Sequence, residues 1–154
     1  MVISNLNTTR ILEILRFIEK NLEELKPFTK MTKEIFLSDK KNPPFVESYL
    51  RRSLEAVFDI GRYILAKTYS FKEIEYKAIA KGLGDKGVIT RELSDVLFLM
   101  AGYRNRMVHL YREVTPDELY DIVMSKLNDF ERFNKEIVVF LQAYEKNLGS
   151  DRQS

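Results

Sequence analysis

Apolar residues recur along most of the chain at steps of three and four, the period of a helix with one buried face. Ile11, Leu15, Ile18, Leu22 and Leu25 form the first such stripe, which begins behind the capping candidates Asn7 and Thr8 and stops at Pro27. Asn42-Pro43-Pro44 is the clearest break, because each proline lacks an N–H and Pro44 disfavours helix at the residue before it. Beyond it, Val46, Leu50, Leu54, Val57, Phe58, Gly61, Ile64 and Leu65 predict a second long helix reaching about Lys67. Ser70-Phe71-Lys72-Glu73 has the spacing of a capping box and predicts that a short third helix starts there. That helix carries Ile74, Ala78, Ile79 and Leu83 and ends in glycines.

From Thr90, the positions Leu93, Val96, Leu97, Met100, Met107 and Val108 predict a fourth helix of about twenty residues. Thr115-Pro116-Asp117-Glu118 then combines a capping box, a proline at the first helical position and acids where the helix dipole favours them. The fifth helix carries Leu119, Val123, Leu127, Phe130, Phe133, Ile137, Leu141 and Tyr144, and Gly149 marks its expected end. No segment alternates as a strand does. The expected fold is all-α, an up-and-down bundle of four long helices plus one short helix. It forms one domain over residues 1–149, with a disordered tail at 150–154.

With 154 residues, 45% hydrophobic, a single domain buries about two-thirds of its unfolded surface and needs no covalent or metal staple. Zero Cys and one His exclude structural zinc, iron–sulfur clusters and thiol chemistry, and the lack of cysteine fits a reducing cytoplasm. The longest apolar run, Val96 to Ala101, is too short to span a bilayer, and Met1-Val2-Ile3-Ser4-Asn5 lacks the layout of a signal peptide. The expectation is a soluble cytoplasmic protein that does not engage a membrane. With Lys+Arg 25 against Asp+Glu 23, only a local cluster of basic residues would support nucleic-acid binding.

Gly82-Leu83-Gly84-Asp85-Lys86-Gly87 matches a dinucleotide-binding spacing, but it follows a helix where that motif follows a strand, so it reads as helix termination and turn. Acid pairs such as Glu23-Glu24 and Asp117-Glu118 fall on solvated or helix-starting positions, and no metal or cofactor is expected. The informative stretch runs from Ala101 to Arg112 and holds the single histidine and three arginines. At about 100° per residue, Arg104 falls inside the apolar stripe of the fourth helix. A guanidinium there either pairs with an acid, expected on the first or fifth helix, or faces a water-filled cleft where it binds an anion. Asn105 and His109, four apart, are expected to be neighbours on a face shared with the small residues Ala101 and Gly102, which admit a close backbone. His109 reads equally as a satisfied histidine favourable to the helix dipole. Tyr111 is expected to project near Arg104, or else to be a core tyrosine at the helix end.

Arg104-Asn105-x-x-x-His109-x-Tyr111 resembles the signature of the HEPN superfamily, in particular the HepT-like toxins of bacterial and archaeal toxin–antitoxin pairs. Leu54-Glu55-Ala56 through Gly61-Arg62-Tyr63-Ile64-Leu65, and Gly87-Val88-Ile89 through Met100-Ala101-Gly102-Tyr103, resemble that family's flanking helices, and coverage runs from about Thr8 to Tyr144. The resemblance implies a HEPN-like helical homodimer that cleaves RNA, mRNA or tRNA, without a metal. It also implies a minimal nucleotidyltransferase antitoxin that binds the toxin and adds AMP to a tyrosine, as in type VII-like pairs. By residue match it puts Arg104 and His109 at catalytic positions, Asn105 at a supporting one and Tyr111 at the modified one, with Arg106 and Arg112 as contacts for flanking phosphates. Lys40-Lys41 and Pro43-Pro44 extend a connection that varies among relatives. Metal-free RNA cleavage needs a base, a cation and an acid, and one chain has one histidine, so the resemblance makes dimerisation a chemical requirement. The alternative from another class is a non-catalytic HEPN helical module that uses the same residues to bind a nucleotide or a partner protein.

Overall fold

The computed structural model describes residues 6–109 and 113–153, with side chains described to residue 148. Among these the chain forms α1 (Thr8–Leu25), α2 (Lys33–Ser38), α3 (Asn42–Tyr69), α4 (Tyr76–Asp85), α5 (Arg91–Val108) and α6 (Pro116–Gln153), with a 3-10 turn at Lys26–Lys30. The fold is all-α. Its four long helices are α1, α3, α5 and α6, and α4 is the expected short one.

Each long helix buries its predicted stripe. Ile11, Ile18, Leu25, Val46, Leu50, Leu54, Ile64, Leu93, Leu97, Phe133 and Ile137 are all at most 1% exposed. The stripe on α5 is shorter than expected, because Met107 is half-buried and Val108 is 44% exposed. Beyond Ala101 no residue of α5 is fully buried, although Tyr103 and Met107 still pack against the core, and the last two turns border surface clefts.

The chain between α1 and α3 holds two short elements that periodicity cannot detect. Pro27 sits in the first positions of the 3-10 turn, where its missing N–H costs nothing, so it tightens the chain where a stop was expected. Thr32 caps α2 by accepting from the Ile35 N–H at 3.2 Å, and this six-residue helix buries Phe36 against Phe28 and Tyr120. Pro43 and Pro44 occupy the first turn of α3 and start that helix.

The predicted capping box at Ser70 does not form. Ser70 ends α3 in the left-handed region, with φ 53° and ψ 27°, and the Phe71 N–H donates to the Leu65 carbonyl at 3.0 Å. An N-cap needs extended backbone, so a residue used as a left-handed C-cap cannot also begin the next helix. The next helix starts six residues later at Tyr76, and the Glu73 carboxylate accepts from the Ile74 and Glu75 N–H groups instead.

The Gly-x-Gly-x-x-Gly spacing has structural uses. A Cβ at Gly84 would collide with the side chain of Ser94, whose hydroxyl donates across the α4–α5 seam to the Ala80 carbonyl at 2.8 Å. Gly87 takes φ +73° in the turn that follows. At the start of α6 the capping box is present in both directions: Glu118 N–H to the Thr115 hydroxyl at 3.2 Å, and Thr115 N–H to the Glu118 carboxylate at 3.3 Å. The helix then passes Gly149, its expected end, and runs on to Gln153. Glycine costs a helix only about 1 kcal/mol relative to alanine, so one glycine weakens a long helix without stopping it. Among the described residues no helix is long and apolar enough to cross a membrane.

Candidate active site

Arg104 lies on this last part of α5, where α3, α4 and α5 meet. Its guanidinium carbon is 4.2 Å from the centroid of the Tyr76 ring, and Tyr76 stacks on the buried ring of Phe58 at 4.7 Å. A cation over an aromatic face gains about 0.5–2 kcal/mol depending on its desolvation, enough to fix the guanidinium plane. The acid partner comes from α3, not from the first or last helix as expected: Glu55 Oε1 lies 3.9 Å from Arg104 and also 3.9 Å from Arg51. At that distance, shared between two arginines, the carboxylate balances charge without a hydrogen bond. Arg104 Nε is buried with no hydrogen-bond partner. The side chain is thus oriented by Tyr76 while its donors remain unengaged, the condition in which a guanidinium binds an incoming anion.

That anion has a place to sit. Arg62, Ile74, Glu75, Tyr76, Lys77, Arg104 and Asn105 line a cleft of about 490 Å³. Three of those side chains are cationic and one is acidic. Glu75, the N-cap of α4, makes no side-chain cap, so its carboxylate does not occupy the first-turn N–H groups of α4.

His109 is placed differently from its expected position. It is the C-cap of α5, with φ −95° and ψ 123°, and is exposed. It thus stands at the very end of the helix, and its side chain does not line the cleft that Asn105 lines. His109 lines a separate hollow of about 360 Å³ with Pro43, Pro44, Glu47 and Glu113, between the starts of α3 and α6. Within one chain, then, Arg104 and Asn105 share a cleft and His109 opens on another. Tyr111 and Arg112 lie outside the described residues, and the end of α5 at Val108 removes the helical basis for placing Tyr111 beside Arg104.

Arg106, expected as a phosphate contact, has a partner in the chain. Its two terminal nitrogens donate to the two Glu118 oxygens at 2.6 and 2.9 Å, and one of them also reaches the Glu113 carbonyl at 3.2 Å. This planar pair joins the end of α5 to the start of α6 and closes the segment that contains His109 and Tyr111. The hydrogen bond from Arg106 holds the Glu118 carboxyl well below the usual range, at about 2, with the Thr115 N–H adding to the effect. A carboxylate with a depressed folded-state pKa stabilises the fold fully above its unfolded value near 4.5 and loses that contribution as pH falls through about 2. Glu118→Gln is therefore expected to lower stability at pH 7 by about 1 kcal/mol or less, because the pair is partly exposed and screened. Thermal melts across pH should show the two proteins converging below about pH 4.5; a difference that persists undiminished at pH 2 would contradict the assignment.

The outer face of α5 carries two apolar side chains beyond the charged Arg91, Glu92 and Asp95. Phe98 is 46% exposed and Leu99 48% exposed. A Cβ at Gly102 would meet only the end of the Lys77 side chain, at 3.9 Å, so nothing within the chain requires glycine there. Ala101, grouped with this face by spacing, is fully buried in the core. Among the described residues no cluster of metal-ligating side chains occurs. Glu55, Arg62 and Tyr76 are the site residues that sequence reasoning did not find, because they reach the cleft from other helices and their own segments show no chemical motif.

The family model for HepT-like ribonucleases matches residues 18–137, and the chain belongs to that family. It is 26% identical over 132 residues to a tRNA nuclease HepT of Aphanizomenon flos-aquae, covering 86% of this chain and 90% of that one. It is 34% identical over 84 residues to an mRNA nuclease HepT of Shewanella oneidensis, covering 54% of this chain and 63% of the relative. Among solved structures, the tri-AMPylated Shewanella oneidensis HEPN toxin in complex with its MNT antitoxin superposes with TM-score 0.75 at 27% identity, over 84% of this chain and 96% of that one. A cytosolic Bacillus subtilis protein shares the fold with TM-score 0.75 at 20% identity, over 89% of this chain and 92% of its own.

Proposed function

We propose that this ribonuclease is the toxin of a toxin–antitoxin pair, that two copies assemble its active cleft, and that a nucleotidyltransferase antitoxin silences it by adding AMP to Tyr111. The observation that carries the catalytic reading is Arg104 held over Tyr76 with unengaged donors in a cationic cleft. In the proposed reaction the RNA 2′-oxygen attacks the adjacent phosphorus, a P–O bond forms, and the P–O5′ bond breaks. His109 accepts the 2′-hydroxyl proton, Arg104 and Asn105 stabilise the charge on the phosphoryl oxygens, and a second His109 protonates the departing O5′. One chain offers a single histidine, and that histidine does not share Arg104's cleft, so a two-fold pairing of chains supplies both the second proton-transfer group and the meeting of the two hollows. The exposed Phe98 and Leu99 and the unobstructed Gly102 are the surface through which we place that pairing. Arg112 remains a proposed contact for a flanking phosphate, whereas a phosphate would have to compete with Glu118 for Arg106.

The test is incubation of the purified protein with tRNA and mRNA in EDTA. Cleavage that survives chelation is expected. Loss of cleavage on chelation overturns the metal-free reaction, and binding without cleavage in any buffer favours a non-catalytic module.

The proposed modification draws its support from the motif match and from a relative. The Tyr111 phenol oxygen would attack the α-phosphorus of ATP with loss of pyrophosphate, and the added negative charge and bulk would oppose the binding of RNA. The AMP-carrying Shewanella relative in complex with its MNT antitoxin supports this reading. After co-incubation with the partner and ATP, mass spectrometry should find an adenylyl adduct on Tyr111, absent from Tyr111→Phe, and the modified protein should no longer cut RNA. An adduct elsewhere, or full activity in a stoichiometrically modified sample, removes Tyr111 from this role.

A further inference from the structure

We propose that Arg62 and Arg104 form a two-phosphate clamp for the RNA strand, with Arg62 binding the phosphate next to the one Arg104 takes. The proposal rests on the ribonuclease reading above and extends it to a residue of α3 outside the motif. Arg62 comes from α3 and Arg104 from α5, yet their guanidinium carbons lie 5.9 and 4.2 Å from the centroid of the same Tyr76 ring. The fold therefore brings two like charges together on one aromatic platform in one cleft, a placement that repels until an anion enters between them.

Neither cation is satisfied inside the chain. Arg62 has a carboxylate of Asp59 at 3.9 Å, one helical turn away and more than half exposed, and its Nε is buried with no hydrogen-bond partner. Arg104 shows the same pattern, with its shared carboxylate at 3.9 Å and an unpartnered Nε. Arg106 and Arg132 are also half-buried, but each donates to a carboxylate at 2.6–2.9 Å. Among the described residues, the arginines with a buried nitrogen that finds no hydrogen-bond partner are Arg62 and Arg104, and both line the cleft. Planar forks of this kind match phosphate oxygens, and two of them beside one ring in one cleft offer two phosphate sites to a single strand. Tyr76, packed on Phe58, acts as a positioning residue that holds both planes.

The experiment measures binding of a fluorescein-labelled single-stranded RNA at several salt concentrations, in EDTA, to His109→Ala protein so that the probe stays intact. Each phosphate contact on a single strand contributes about 0.7 to the slope of log affinity against log salt concentration. Adding Arg62→Ala should weaken binding about tenfold at low salt, as expected for loss of a charge-assisted contact, and reduce the slope by about 0.7. Arg62→Lys should keep the slope, since the charge remains. Arg16→Ala, an exposed arginine on α1, removes the same charge far from the cleft and should leave affinity and slope as they were. An unchanged slope in Arg62→Ala, or an equal fall in Arg16→Ala, overturns the clamp while leaving the ribonuclease reading in place. Absence of RNA binding by the His109→Ala parent overturns both.

Discussion

His109→Ala is expected to lower the rate of RNA cleavage by about 10²–10⁴-fold, the range general acid–base catalysis supplies, with the melting temperature nearly unchanged. Two features make the loss specific to chemistry. His109 is exposed beyond the end of α5, so its imidazole supports no core contact, and it is the only histidine in the chain. Arg104→Lys should be impaired as well, although the charge is conserved. An ammonium is a point charge that cannot reproduce the guanidinium fork, and it lies less favourably on the Tyr76 ring that sets the plane. The measurement is a single-turnover rate on a defined RNA beside a thermal melt. A His109→Ala protein that cuts RNA at the wild-type rate would remove His109 from catalysis, and a variant that loses activity only by unfolding would show it in the melt.

Gly102→Arg is expected to separate the proposed dimer into monomers and to reduce cleavage to the level of His109→Ala. Within one chain the position is open, with its closest neighbour the end of a flexible lysine, and arginine is a far better helix former than glycine, so the fold should tolerate the change. In the proposed two-fold pairing the Gly102 of each copy lies at the interface, so the substitution inserts two bulky like charges beside the apolar Phe98 and Leu99. Like charges juxtaposed at an interface cost several kcal/mol, which corresponds to a loss of affinity of at least about a hundredfold. Light scattering with parallel activity measurements decides the point. A wild-type protein that is monomeric and fully active at micromolar concentration contradicts the shared cleft, as does a dimeric and active Gly102→Arg variant.

The sequence by itself determined the helical class, the four long helices and the start of α6. It did so because a buried stripe repeats over many turns and because Thr115 and Glu118 satisfy each other locally, with no help from the rest of the fold. It also marked Arg104 as an anomaly, a cation in line with the apolar positions of its helix. Where a residue's use depends on what packs against it, local pattern was insufficient. Ser70 has a capping partner at the right spacing but is taken as a left-handed C-cap, and Pro27 and Pro43-Pro44 sit in first turns where a missing N–H is harmless. Asn105 and His109 have helical spacing, yet Asn105 lines the cleft of Arg104 and His109 a separate hollow. The tertiary structure alone decided that Arg104 meets Glu55 and Tyr76, that Arg62 joins it on the same ring, and that Arg106 is held by Glu118. Those contacts join α3, α4, α5 and α6, and no periodicity within one helix can specify which residues of two others will face it.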